Sequence, residues 1–261
     1  MSQNTQFLHY QWQNAQKTAS TTPTIVLLHG LFGDLNNLGV IARAFAQDYP
    51  VLKIDLRNHG HSFHRSEMNY ELMAQDVIAL LDHLHIENII PIGHSMGGKT
   101  AMAVADKLGT RVNKLVVLDI APVAYGNNGH DDVFHALFEV QKAKPSTRQE
   151  AKPILQRHIL AEGVQQFMLK SFDAASPERF LFNLTALYQN YNHIMGWQTV
   201  HINIPTLFIR GGHSNYVADS YLSAIHAQFS DAHIVTIENA AHWLHAEKPS
   251  AVINAIQTFL V

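Results

Sequence analysis

Along the first half of the chain, short apolar runs alternate with longer stretches in which apolar residues return every three or four positions. Residues 24–29 (TIVLLH), 88–93 and 114–120 (KLVVLDI) are largely apolar runs, and 51–56 (VLKIDL) also reads as a strand. Such runs predict strands buried on both faces. Between them, residues 38–47 place Val40, Ile41, Ala44 and Phe45 on one side of a helix. Residues 70–84 do the same with Leu72, Val77, Leu80, Leu81 and Leu84, and residues 97–108 form a third helical stretch. Residues 7–14 fit an edge strand, followed by a Thr/Ser/Pro linker over 18–23. Strand–helix alternation of this kind predicts a mostly parallel central sheet with helices on both faces, which binds ligands at the carboxyl ends of its strands.

From residue 123 to 203 no convincing strand pattern is present. Helices are predicted instead over 131–142, 147–161, 163–172 and 177–191, the last from the spacing of Phe180, Leu184 and Leu187. Strand character resumes at 206–210 and 233–237, with helices over 216–229 and 250–260. The expected organisation is one α/β core, residues 1–122 and 204–261, interrupted by a helical cap over 123–203. The cap is placed as a lid above the strand ends.

Composition narrows the chemistry. The chain has 261 residues, a formal net charge of −3 and no run of like charges, which argues against nucleic acid as a partner. It has no cysteine, so a disulfide framework, a thiolate nucleophile and a cysteine-based metal site are excluded. Residues 1–16 show no secretory or transit pattern, and no apolar stretch approaches the ~18 residues of a membrane span. The expectation is a cytoplasmic protein with no membrane partner. Histidine is abundant, with 18 copies. The pairs His59/His61 and His83/His85 lack a carboxylate at ligand spacing and no HExxH occurs, so no metal is expected.

The motif that carries chemistry is Gly93-His94-Ser95-Met96-Gly97. It follows a predicted strand and opens a predicted helix, the setting of a nucleophile elbow. Ser95 is therefore the candidate nucleophile. A second glycine-containing turn, His29-Gly30-Leu31-Phe32-Gly33, ends another central strand at the same sheet edge. Backbone N–H groups of Leu31 and Met96 are the candidate oxyanion hole, with Phe32 the adjacent alternative to Leu31. His242, in the loop after the last strand, is the candidate base; His245 is its competitor. Phe32 and Trp243 flank these groups in sequence and are expected to line an apolar pocket.

The acid is harder to place. The loop after the penultimate strand, Gly211-Gly212-His213-Ser214-Asn215, contains no carboxylate, and Asp219 falls in the helix that follows. Asp119 ends a buried strand instead, where a carboxylate requires a partner to offset desolvation. A histidine that becomes cationic is such a partner, so Asp119 is the candidate acid. Ser214 takes the vacated position, as a substrate-binding group or an extra hydrogen bond to the acid.

These segments resemble the lidded α/β-hydrolases, and most closely the YbfF-type bacterial esterases and their mitochondrial relatives. HGLFGDLNNLGVIAR, DLRNHGHS, MNYELMAQD, GHSMGGKTAM, LVVLDIAPV, GVQQFMLKSF, GGHSNYV and AAHWLHAEKP carry the likeness. His213 departs from it, standing where Asn is expected. The resemblance implies an α/β-hydrolase fold and a Ser95–Asp119–His242 triad. It further implies hydrolysis of short acyl esters and of thioesters such as acyl-CoA. No cofactor is expected, and the chain is expected to be a monomer or weak homo-oligomer. Rival readings are a carbon–carbon bond hydrolase or perhydrolase on the same triad, and a ligand receptor on a hydrolase fold.

Overall fold

A computed structural model of the protein describes residues 6–15, 21–126 and 129–261. Residues 18–20 of the expected linker, and 1–5 at the chain start, lie outside the described residues. Among the described residues seven strands form one sheet: β1 (Tyr10–Gln13), β2 (Thr24–Leu28), β3 (Val51–Ile54), β4 (Ile89–His94), β5 (Leu115–Leu118), β6 (Thr206–Gly211) and β7 (Ala232–Ile237). Their order is β1-β3-β2-β4-β5-β6-β7. β1 is antiparallel to β3, and the other pairings are parallel. The central strands are buried throughout because both sheet faces are covered. In β2, Val26 and Leu28 enter one apolar cluster while Ile25 and Leu27 enter the other. This is the two-residue period of a strand written entirely in apolar residues.

Helices α1 (Gly39–Phe45) and the C-terminal α11 (Pro249–Leu260) cover one face through Ile41, Phe45, Val252 and Ile256. Helices α2 (Tyr70–His83) and α3 (Met96–Leu108) cover the other. The Asn69 side chain caps α2 by accepting from the Leu72 N–H, and Met73, Val77, Leu80 and Leu81 are buried along it. Each of those side chains contributes about 1.5–3 kcal/mol by leaving water.

Between β5 and β6 lie α4 (Asp131–Ala143), α5 (Arg148–Gln156), α6 (Glu162–Lys170), α7 (Leu184–Gln189) and α8 (Tyr191–Met195). Two expectations there are corrected. The helix expected over 147–161 ends at Gln156, where the bonding tightens to three-residue steps, Arg157 N–H to the Ile154 carbonyl (3.3 Å) and His158 N–H to that of Leu155 (3.2 Å). Pro153 is accommodated inside it, leaving the Gln149 carbonyl without its helical donor. The single helix expected over 177–191 does not form. Phe180 and Phe182 stack with ring centroids 4.9 Å apart, and Phe180 bridges Phe172 in antiparallel fashion. Two aromatics spaced two apart and both buried obey the strand period, not the helical one. Asn183 then caps the shorter α7. Before β7, helix α9 (Leu222–Gln228) also begins later than expected. The segment ahead of it is held at the sheet edge, where Tyr216 accepts at its carbonyl from the Tyr125 hydroxyl (2.5 Å). The four-residue α10 (Leu244–Glu247) completes the fold.

Candidate active site

Ser95 stands between β4 and α3 with φ 54° and ψ −121°. A non-glycine residue in this region stores roughly 1–3 kcal/mol of strain and persists only where its surroundings fix it. Here the Ser95 N–H donates to the Leu118 carbonyl (3.0 Å), and its own carbonyl accepts from Gly98 (2.8 Å) and Lys99 (3.1 Å). The flanking glycines exist for close approach. A Cβ on Gly97 would stand 2.2 Å from the Leu28 carbonyl oxygen of β2, and one on Gly93 would stand 2.1 Å from that of Gly97. The Ser95 hydroxyl makes no hydrogen bond among the described residues, and Ser95 lines a cavity of about 250 Å³.

The loop after β2 brings Leu31 to the same cavity. Neither the Leu31 nor the Met96 N–H has a protein acceptor among the described residues. The Phe32 N–H does: it donates to His59 Nε2 (3.1 Å), so Phe32 is removed as an alternative donor. Its buried ring lines the cavity instead. The loop is shaped by two buried histidines. His29 donates from Nδ1 to the Gly30 carbonyl and accepts at Nε2 from Leu56. His59 donates from Nδ1 to the Arg57 carbonyl, which leaves Nε2 as the acceptor for Phe32. Burial pushes both imidazoles below their ordinary pKa and keeps them neutral, as these bonds require.

Asp119 follows β5 at φ 50° and is wholly buried. Its Oδ1 accepts from the Gly211 N–H (2.9 Å), and its Oδ2 accepts from both the Ser214 hydroxyl and His242 Nδ1 (2.7 Å). The carboxylate is thus fully surrounded by donors, the condition for keeping a buried charge. Ser214 lies outside the cavity lining. Its expected place as a substrate contact is corrected, because its hydroxyl is spent on Asp119. Asp219 is remote in role: it is exposed and pairs with Arg210 (2.6 Å).

With Nδ1 committed to Asp119, His242 presents Nε2 to the cavity it shares with Ser95. Its ring stacks on Tyr216 (centroids 4.1 Å apart), and its carbonyl accepts from His94 Nε2 (2.8 Å). His245 packs edge-on against His94 (4.5 Å) rather than reaching Asp119. Burial, reinforced by neighbouring imidazoles, holds His94 well below its usual pKa and pushes His245 down to about 4. Trp243 lines the cavity against Phe167 of α6 (ring centroids 5.6 Å).

The arrangement offers a hydroxyl on a strained turn, an imidazole oriented by a carboxylate, and two free N–H groups beside one apolar cavity. The model of the alpha/beta hydrolase fold family matches residues 23–249.

The chain belongs to this family.

It is 44% identical over 254 residues to the esterase YbfF of Escherichia coli, spanning 97% of this chain and 98% of that one. It is 38% identical over 251 residues to the sn-1-specific diacylglycerol lipase ABHD11 of Mus musculus, spanning 92% and 82%. A solved structure of a marine microorganism esterase superposes with a TM-score of 0.90 at 32% identity, covering 98% of this chain and all of that one. The protein is an α/β-hydrolase of the YbfF esterase type, a carboxylic ester hydrolase. No helix among the described residues is long and apolar enough to cross a membrane.

Two cavity groups of this hydrolase escape the sequence reading. Lys99, on α3, is buried, and its ammonium donates to the carbonyls of Met195 (3.2 Å) and Gly196 (2.9 Å) at the end of α8. It also sits 4.7 Å from the centre of the Tyr125 ring, and burial pushes its pKa down to about 7. His130, ahead of α4, is bonded through Nδ1 to the Tyr191 hydroxyl (2.6 Å), with burial pushing its pKa to about 4. A lysine in a mostly apolar helical stretch reads as a solvent-facing residue; only the tertiary fold reveals it as a tie between core and inserted helices. His29 and His94 carried a signal, since each closes a continuous apolar strand run.

Proposed function

We propose that this esterase acts by acyl transfer through Ser95, with His242 as general base and acid, Asp119 orienting it, and Leu31 and Met96 forming the oxyanion hole. The observation that carries this reading is the 2.7 Å bond from His242 to the buried Asp119, made beside the same cavity that receives Ser95. His242 Nε2 takes the hydroxyl proton as Ser95 Oγ attacks the acyl carbon. The carbonyl oxygen becomes an oxyanion held by two backbone N–H groups, each worth about 3–4 kcal/mol in transition-state binding. His242 then returns its proton to the leaving alkoxide or thiolate as that bond breaks. Water, deprotonated by the same imidazole, attacks the acyl-enzyme, and the imidazolium gives that proton to Ser95 Oγ as the acyl–oxygen bond breaks and the acid leaves.

A cavity of about 250 Å³ lined by Phe32, Val133, Phe167 and Trp243 suits short apolar acyl groups. The oxyanion donors address the carbonyl alone, so thioesters such as acyl-CoA belong to the same substrate class. Residues 123–203 serve as the lid, contributing Val133 and Phe167 to the cavity wall. Ser95→Ala is expected to abolish hydrolysis of p-nitrophenyl butyrate while the circular dichroism spectrum is unchanged; retained turnover would reject Ser95 as nucleophile.

A further inference from the structure

We propose that His135, Glu139 and His158 form a binding site for a divalent transition-metal ion of the zinc type, bracing the inserted helices away from the ester-cleaving cavity. His135 and Glu139 lie four residues apart on α4 and so share one helix face. His158 comes from the turn just past α5, which packs beside α4. One ligand atom from each residue falls within 4.8 Å of the others. His135 Nε2 is 3.7 Å from Glu139 Oε1, and His158 Nε2 is 3.0 Å from Glu139 Oε2. Ligands about 2.0–2.1 Å from a tetrahedral ion stand about 3.4 Å from one another; the two separations, measured to different oxygens of Glu139, fall either side of that edge, and small side-chain rotations bring all three ligands to it.

The second observation is an unmet need. Glu139 Oε2 and His158 Nε2 are both shielded from solvent, yet neither has a hydrogen-bond partner among the described residues. They approach each other closely without the angles of a hydrogen bond. A cation between them satisfies both atoms at once. Two imidazoles and one carboxylate form a ligand set typical of zinc, with water at the fourth position.

The scaffold is fixed independently of any ion. Phe134, Leu137 and Val140 of α4 and Ala151 and Leu155 of α5 are buried in the core, which leaves the ligand side chains on a settled backbone. One group opposes binding: Arg157 Nη1 lies 3.9 Å from Glu139 Oε2, but its side chain is two-thirds exposed and free to leave. None of the three ligands lines the Ser95 cavity, whereas Val133 on the same helix does. An ion here would therefore stiffen a wall of the cavity without entering the chemistry.

The test is a calorimetric titration of Zn²⁺ into the EDTA-dialysed protein, with the Co²⁺ absorption spectrum as a report on geometry. The expected result is one ion per chain, a tetrahedral-type Co²⁺ spectrum and a raised melting temperature. Glu139→Gln and His158→Ala should each weaken binding by more than the roughly 10–100-fold typical of losing a mere outer-shell partner. Arg157→Ala should tighten it. All three variants should hydrolyse p-nitrophenyl butyrate as the parent does, which certifies their folding. Zinc binding that survives in Glu139→Gln and His158→Ala, or an absence of binding in the parent, would overturn the site.

Discussion

Asp119 Oδ2 accepts from His242 and Ser214 while Oδ1 accepts from Gly211. Removing its charge therefore disturbs the tautomer of His242 as well as the stabilisation of its cation. Asp119→Asn is expected to lower kcat for p-nitrophenyl butyrate on the order of 10⁴-fold, as the equivalent change does in serine proteases. Asp219→Asn breaks only an exposed ion pair with Arg210, worth about 0–1 kcal/mol, and should leave kcat nearly unchanged. The reverse order would move the acid. At this scale, the residues of the site that must sit at strand ends were legible: Ser95, Asp119 and His242 each follow an apolar run. What Ser214 touches was not legible, because a hydroxyl in a loop carries no mark of whether it faces substrate or carboxylate. Lys99 and His130 were hidden for a related reason. Their burial is created by α8 and Tyr191, which are distant in sequence and pack against them only after folding.

The elements repeat this contrast. The parallel strands follow from their apolar runs and the helices α1, α2 and α3 from their periodicity, because each helix buries one face in the apolar cluster on its side of the sheet. The segment 177–183 did not, because Phe180, Leu184 and Leu187 fit a helix on paper while the stacked Phe180 and Phe182 fit an extended bend. The pair Phe180/Phe182, two residues apart, is the mark of extended chain that the sequence carries in this segment. The contact between α3 and β2 gives an element-scale expectation. Gly97→Ala drives a Cβ to 2.2 Å from the Leu28 carbonyl oxygen, a backbone atom that cannot swing aside. It should cost about 1–3 kcal/mol or more and displace the Leu31 loop that leaves β2. Gly163→Ala, near the start of α6 with nothing within 4 Å of the added atom, should instead gain about 0.4–1 kcal/mol. Urea midpoints of the two variants test the pair, and equal shifts would contradict the packing argument.

For the whole molecule, buried neutral histidines set the response to acid. His29, His59 and His94 are held below the ordinary imidazole pKa, and His130 and His245 are pushed down to about 4. In the unfolded chain each takes a proton near about pH 6.5. Between that value and about 4 the unfolded state binds more protons than the folded one, so stability is lost as pH falls through this window. Each such group contributes a slope of about 1.4 kcal/mol per pH unit at most. Urea midpoints should drop steeply from pH 6.5 to 4.5, and His245→Leu should flatten the slope; a midpoint independent of pH would contradict it.

In the proposed mechanism His242, oriented by Asp119, makes Ser95 a nucleophile. A fluorophosphonate reports this directly, since it reacts with an activated serine and remains attached for peptide mass spectrometry. The expected result is one adduct per chain, on Ser95, with labelling lost in His242→Ala. An adduct on any other residue, or labelling of His242→Ala at the parent rate, would contradict it.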